Sequence, residues 1–302
     1  MVMIWLKVKR LYLDNVEPYL PLEIQKMIRN IEVVINMKGW VKWLRVQSWV
    51  TWIFGPEYYR NLSMIEIDIT YACNLRCYNC NRSCEQVPTL ERMTVDQIKK
   101  FVEESIASNL QWKQIRILGG EPTLHPDFFE IIEMLRRWRM TYSPNTLIEV
   151  ATNGHGNEVR TVLAQVPDDI IIENTEKRDN KSLFYAFNVA PVDLLAYRWA
   201  DYRNGCFVTR ECGIGLTPNG YYQCAVAGGI DRIFGFGIGR DKIPAHDDNM
   251  EDQLKRLCQY CGRFERRKRK KVNQTVMSKT WKSIYQQYNK NNSKFPDIKM
   301  KV

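Results

Sequence analysis

From Met64 to Ile172 the chain alternates between short segments of two-residue apolar period and longer segments of helical period. That alternation constrains the fold more than any other feature. Ile65-Glu-Ile-Asp-Ile69 reads as a strand, Thr94–Leu110 as a helix with Thr94 at its N-cap, and Gln114–Leu118 as a second strand. Pro126–Arg139 has helical spacing, with Asp127 early in its first turn, where negative charge suits the helix dipole. Leu147–Ala151, Asp169–Ile172 and Phe184–Val189 read as further strands, with Glu158–Gln165 a helix between the first two. Strands separated by helices pair in parallel through right-handed crossovers, so the expectation is an α/β domain.

The first strand runs straight into Asp68-Ile-Thr-Tyr-Ala-Cys73-Asn-Leu-Arg-Cys77-Tyr-Asn-Cys80. This C-x3-C-x2-C run lies at the strand's C-terminal end, the edge where parallel α/β sheets bind ligands. The chain's nine cysteines fall in two groups, with none in the 121 residues between Cys84 and Cys206. Lys7, Lys9 and Arg10 break the first apolar stretch, and no apolar run is long enough to cross a bilayer, so a cytoplasmic location is expected. Thiols stay reduced there, and two short-spaced groups of them suggest two metal sites rather than disulfides. Three thiolates from one loop leave one iron of a four-iron cubane open to a small molecule. A structural zinc site completed by Cys84 is the alternative.

On these residues the chain resembles the radical S-adenosylmethionine (radical SAM) superfamily, which carries this cysteine spacing after the first strand of a partial (β/α)6 barrel. The resemblance implies a [4Fe-4S] cluster on Cys73, Cys77 and Cys80 whose remaining iron is chelated by S-adenosylmethionine. It also implies an electron donor such as flavodoxin or ferredoxin, and release of a 5′-deoxyadenosyl radical that abstracts hydrogen. Gly119-Gly120-Glu121-Pro122 is similar to the family's GGEP motif, which meets the methionyl ammonium group, and Thr152-Asn153-Gly154 to its TNG segment. Glycines permit close backbone approach and a carboxylate suits a cation. The family places an aromatic residue just before the third cysteine. Here that position is Asn79, with Tyr78 one earlier, and the adenine contact is assigned to this pair.

In the second group, Ile214–Leu216 and Tyr221–Cys224 flank Thr217-Pro-Asn-Gly220, a β-hairpin signal, and Cys258-Gln-Tyr-Cys261 follows helical residues 250–257. Cys212, Cys224, Cys258 and Cys261 supply four thiolates, and on this segment alone a zinc ribbon and an iron–sulfur cluster are equally natural. The arrangement resembles the SPASM/twitch extension of the same superfamily, which implies an auxiliary [4Fe-4S] cluster on those four. Cys206 is an alternative ligand; like Cys84, it is read first as a buried thiol. The expected organisation is an N-terminal helical segment (1–62), a radical SAM partial barrel (63–205), a small Cys-rich twitch-like hairpin and helix domain (206–262) and a basic tail (263–302).

The net charge of +10 belongs to that tail, which has thirteen Lys or Arg against Glu265 and Asp297 and no continuous apolar face. A solvated tail is the default, and a nucleic-acid partner is not favoured. Trp40, Trp43, Trp49 and Trp52, with Lys38, Lys42 and Arg45, admit peripheral membrane contact, but tryptophans packed on the barrel are the favoured reading. His125 and His155 border the site edge and are read as loop residues; His246, beside Asp247 and Asp248, is read as exposed. No catalytic acid or base is assigned. The sequence thus points to oxidation or modification of a small molecule, such as a sugar or alcohol. Its rivals are a peptide-modifying maturase and a non-enzymatic zinc or nucleic-acid-binding protein.

Overall fold

The computed structural model describes residues 37–177, 184–264, 271–272 and 275–292. The chain divides into two compact units, 1–45 with 266–268, and 46–265 with 269–302. In the first, the described part is helix α1, Met37–Arg45, where the rings of Trp40 and Trp43 lie 6.3 Å apart. The remaining expectations for residues 1–36 and most of the basic run 265–270 lie outside the described residues.

The second unit opens with α2 (Ser48–Phe54) and then builds β1 (Met64–Thr70), α3 (Val95–Ala107), β2 (Gln114–Gly119), α4 (Phe128–Tyr142), β3 (Leu147–Thr152), α5 (Asn157–Leu163) and β4 (Ile171–Asn174). Thr94 caps α3 with a full capping box: its hydroxyl accepts from Gln97 N, and Gln97 Oε1 accepts from Thr94 N. Ile65, Ile67 and Ile69 of β1 are buried in a core with Ile98, Phe101, Trp112 and Leu135, which fixes one face of the strand against the helices. The alternate residues Glu66 and Asp68 are also buried, and they meet Arg82 and Arg116 instead. A strand buried on both faces is what a central parallel strand requires.

The sheet has six strands in the order β4-β3-β2-β1-β6-β7. β1 through β4 pair in parallel, as the α/β reading expects. The hairpin formed by β6 (Ile214–Thr217) and β7 (Gly220–Tyr222) joins the same sheet, with β6 parallel to the free side of β1. Phe184–Val189 does not supply another parallel strand. Only Phe184–Tyr185 (β5) is extended, and it pairs antiparallel with Lys271–Val272 (β8) in a separate two-stranded sheet.

The remaining helices are α6 (Phe207–Glu211), α7 (Ala225–Phe234), α8 (Glu251–Leu257) and α9 (Lys279–Asn292). Helix α9 corrects the reading of the tail as lacking an apolar face. Trp281 and Tyr285 are buried in a second core with Phe187, Tyr222 and Ile230, and Ile284 and Tyr288 pack beside them, a stripe at i, i+3, i+4 and i+7. The tryptophans of α2 correct another expectation, because they do not pack on the barrel. Trp49 is 57% exposed and Trp52 86%, while Val50 and Thr51 are the residues that turn inward.

Candidate active site

The C-terminal ends of β1, β2 and β3 come together through backbone contacts that only glycine allows. Gly120 N donates to Thr70 O at 2.7 Å, and Glu121 N donates to Ala72 O at 2.8 Å. A Cβ on Gly119 would stand 2.1 Å from Thr70 O, and one on Gly120 would stand 2.2 Å from Ala72 O. The close approach read from Gly119-Gly120 is therefore made by the backbone leading into the cysteine loop.

Glu121 knits the same edge together. Its Oε1 accepts from Thr123 Oγ1 at 2.7 Å, Thr123 N at 3.3 Å and Thr152 Oγ1 at 2.8 Å, and its Oε2 accepts from Asn153 N at 2.8 Å. Burial raises the Glu121 carboxyl above its ordinary value, and these donors hold it back. Its carboxylate thus joins Gly119–Pro122 to Thr152-Asn153. Asn153 then reaches the cysteine loop: its Nδ2 donates to Asn74 Oδ1 at 2.9 Å, and Asn74 Nδ2 donates to His155 O at 2.7 Å.

Within the loop, Cys77 is buried and Cys73 and Cys80 are half-buried. Leu75 N donates to Cys73 Sγ at 3.4 Å. Cys80 is shifted in the opposite direction from Cys73. A hydrogen bond from the Cys84 thiol, backbone N–H groups of Cys84 and Arg82, and the Arg82 cation draw its thiol below the ordinary range against the effect of burial. Cys84 is thereby placed as the buried proton-bearing partner of Cys80. Arg82 lies over the inner face of the sheet, its guanidinium 3.2 Å from Asp68 and 3.4 Å from Glu66.

Asn79 stands where the resemblance expects an aromatic residue for a backbone reason. It has φ +56°, a left-handed conformation that Asn tolerates and a bulky aromatic does not, and it is fully buried. Its Oδ1 accepts from Val276 N at 2.8 Å, so Asn79 fastens the segment leading into α9. Tyr78, half-buried, is the aromatic left at this edge. Two residues not singled out in the sequence also hold the loop. Tyr285 OH lies 2.6 Å from Ser83 Oγ and 2.6 Å from Asn188 Nδ2. Arg232 Nη2 donates to Arg82 O at 3.0 Å, and its guanidinium stacks 4.4 Å over the Tyr71 ring.

The second thiol group assembles with a different membership from the one read by spacing. Cys206, Cys224, Cys258 and Cys261 line one cavity, with Thr209, Gln223 and Phe264 among its walls. Cys206 and Cys224 are the N-cap residues of α6 and α7, Cys258 is the C-cap of α8, and Cys261 closes the turn after it. Cys212 is not in this set. The turn of α6 and Gly213, at φ +72°, carry it to the N-terminal ends of the strands. There it lies beside Glu66 in a cavity of about 380 Å³ with Gln114, Arg116, Glu149 and Glu173. Burial, followed by the neighbouring Glu66 charge, pushes the Cys212 thiol up to about 12.

His125 is a loop residue: Asp127 N donates to its Nδ1 at 3.0 Å, and its Nε2 lies 2.8 Å from Met93 O. Burial lowers its pKa, which favours the neutral ring that these two bonds require. His155 Nδ1 pairs with Lys177 O at 3.1 Å, and His246 is exposed.

The profile of the Radical SAM superfamily matches residues 67–169, the stretch that runs from β1 through the cysteine loop to the threshold of β4. The chain carries a radical SAM domain. Within that domain it is 30% identical over 87 residues to a probable GTP 3′,8-cyclase of Thermococcus kodakarensis, covering 29% of this chain and 28% of that protein. It is 31% identical over 104 residues to the GTP 3′,8-cyclase of Haemophilus ducreyi, covering 34% of this chain and 29% of that protein. The match thus spans less than a third of the relatives' length. Among solved structures, BtrN in complex with AdoMet and 2-DOIA is similar over 68% of this chain and 94% of that one, at 16% identity and a TM-score of 0.39, too low to argue from.

A radical SAM domain works with an iron–sulfur cluster and S-adenosylmethionine. The thiols of its loop suit such a cluster in kind: three soft donors on one short loop, Cys77 buried and Cys73 and Cys80 half-buried, at the edge that Gly120, Glu121 and Asn153 tie together. Burial raises Cys73, Cys224 and Cys258, and pushes Cys261 up to about 12, so the sulfurs become thiolates when iron supplies the counter-charge.

Proposed function

We propose that the chain is a two-cluster radical enzyme that oxidises a C–H-bearing carbon of a small molecule, for example an alcohol carbon to a carbonyl. Cys73, Cys77 and Cys80 hold the first cluster, with the Cys84 thiol hydrogen-bonded to Cys80. Cys206, Cys224, Cys258 and Cys261 hold the second. When bound, the first cluster with S-adenosylmethionine supplies a primary carbon radical, and the second supplies an acceptor for one electron. Tyr78 borders the adenine, because the Asn79 amide is engaged by Val276. The backbone of Gly119–Glu121 presents its remaining carbonyls to the methionyl ammonium, while the Glu121 carboxylate keeps Thr152 and Asn153 in register with the cysteine loop.

The observation that carries this reading is the membership of the second cavity. Four cysteines line it, enough for every iron of a cubane, which leaves no open position for a substrate. A closed cluster exchanges electrons and does not ligate. Alcohol oxidation fits that role, because the carbon loses one hydrogen atom and then one electron and one proton.

The test is formation of 5′-deoxyadenosine by anaerobically reconstituted protein under strong reductant. Cys77→Ala is expected to abolish it. Cys258→Ala is expected to retain S-adenosylmethionine cleavage and to lose oxidised product. Continued cleavage by Cys77→Ala would contradict the assignment of the first site.

A further inference from the structure

Two polar side chains near the second cysteine set, Gln223 in the cavity wall and Tyr58 packed against Gly205, are left without a role by the fold itself. Tyr58 stands on the segment between α2 and β1, and its ring packs on the backbone that precedes Cys206. A Cβ on Gly205 would lie 3.3 Å from Tyr58 Cδ2. Glu57 N donates to Asn204 Oδ1 at 3.1 Å, which fixes the segment there. The Tyr58 hydroxyl is nevertheless buried and finds no hydrogen-bond partner among the described residues. A buried hydroxyl without a partner is destabilising, and native proteins rarely leave one so. The Tyr58 ring contact with the residue before Cys206 places the side chain beside the second cysteine set. Burial raises the Tyr58 pKa, and the next contributors are Cys224 and Cys258.

Gln223 approaches the same sulfurs from another side. It is buried, it lines the cavity, and its Nε2 stands 3.9 Å from Cys258 Sγ. Its backbone N donates to Gln253 Oε1 at 2.9 Å, which holds the residue next to Cys224 in place. The Gln223 amide thus reaches a cysteine sulfur, and the Tyr58 hydroxyl is buried and unpartnered on the segment that packs before Cys206. A lone metal-binding role needs neither of them.

We propose that Tyr58 and Gln223 donate hydrogen bonds to the sulfurs of the second cluster and so raise its reduction potential. Reduction adds negative charge to the cluster, and a donor proton facing sulfur stabilises that added charge more than it stabilises the oxidised state. The effect suits an electron acceptor, since a higher potential favours taking the electron from the substrate side. The proposal rests on the reading that the second cysteine set holds a cluster.

The experiment isolates that cluster in the full chain by replacing Cys73, Cys77 and Cys80 with Ala, followed by reconstitution with iron and sulfide under anaerobic conditions. Midpoint potentials are then read by an EPR-monitored redox titration, with and without Tyr58→Phe and Gln223→Leu. Each substitution is expected to move the midpoint to lower potential at unchanged iron content, and the double variant to move it further than either alone. A midpoint unmoved by Tyr58→Phe, which removes one oxygen atom and leaves the ring, overturns the role of Tyr58. The same result for Gln223→Leu overturns that of Gln223. Failure of the parent triple variant to hold about four iron per chain overturns the two-cluster reading itself, and the inference with it.

Discussion

Glu121 shows how a motif residue can hold the edge of a site together. Its carboxylate accepts from Thr123, Thr152 and Asn153, all of them buried donors. Glu121→Ala leaves those donors unsatisfied and is expected to destabilise the fold by about 3 kcal/mol or more, measured by denaturant titration. Glu121→Gln keeps the shape and part of the acceptor capacity, so its loss is expected to be smaller, with weakened S-adenosylmethionine binding by calorimetry. Gly119-Gly120 was legible in the sequence as a close-approach site, but the sequence does not say what approaches. The partner is the carbonyl of residue 70 or 72, a tertiary contact. Asn79 is similar: a left-handed φ in a loop leaves no periodic trace, so the departure from an aromatic residue had no visible cause. The exchange of Cys212 for Cys206 has the same origin. Spacing counts residues along the chain, whereas the turn of α6 decides which of two cysteines six positions apart faces the cavity.

At the scale of elements, local signals were reliable where they were self-contained. Thr94 with Gln97 forms the capping box over α3 that an N-cap reading anticipates, and Thr94→Ala is expected to lower stability by about 1 kcal/mol. Helix α9 was hidden because charge dominates residues 263–302, while its apolar stripe is only four residues long. The structure gives that stripe a central place. Trp281 Nε1 donates to Tyr260 O at 2.8 Å beside Cys261, while Tyr285 reaches Ser83 beside Cys84, so one helix touches the surroundings of both thiol sets. Trp281→Ala is expected to destabilise the protein by about 3–5 kcal/mol through the cavity it leaves. It is also expected to make both sets of iron more labile, read as faster loss of visible absorbance with a chelator. Stability within 1 kcal/mol of the parent would mean that α9 is not part of the core.

For the whole molecule, the alternation of periods specified β1 through β4 and their parallel order, because each β/α unit is local in sequence. The docking of β6 on the other side of β1 was not legible, since it joins residues about 150 apart and adds its hairpin to the main sheet. That pairing puts the hairpin that leads into Cys224 on the same sheet as the strand that carries the first cysteine loop. The inner face of the sheet carries Arg82 and Arg116 on Glu66, Asp68 and Glu149, a network in which each buried charge has a counter-charge. Such a face orders the strands rather than receiving an apolar ligand. The central claim is that two clusters are held by Cys73, Cys77 and Cys80 and by Cys206, Cys224, Cys258 and Cys261. Iron and sulfide analysis after anaerobic reconstitution tests it most directly, comparing the parent with Cys206→Ala and Cys212→Ala. The account predicts about eight iron and eight sulfide per chain in the parent and in Cys212→Ala, and about four of each in Cys206→Ala. Eight iron retained in Cys206→Ala, with four lost from Cys212→Ala, would contradict it.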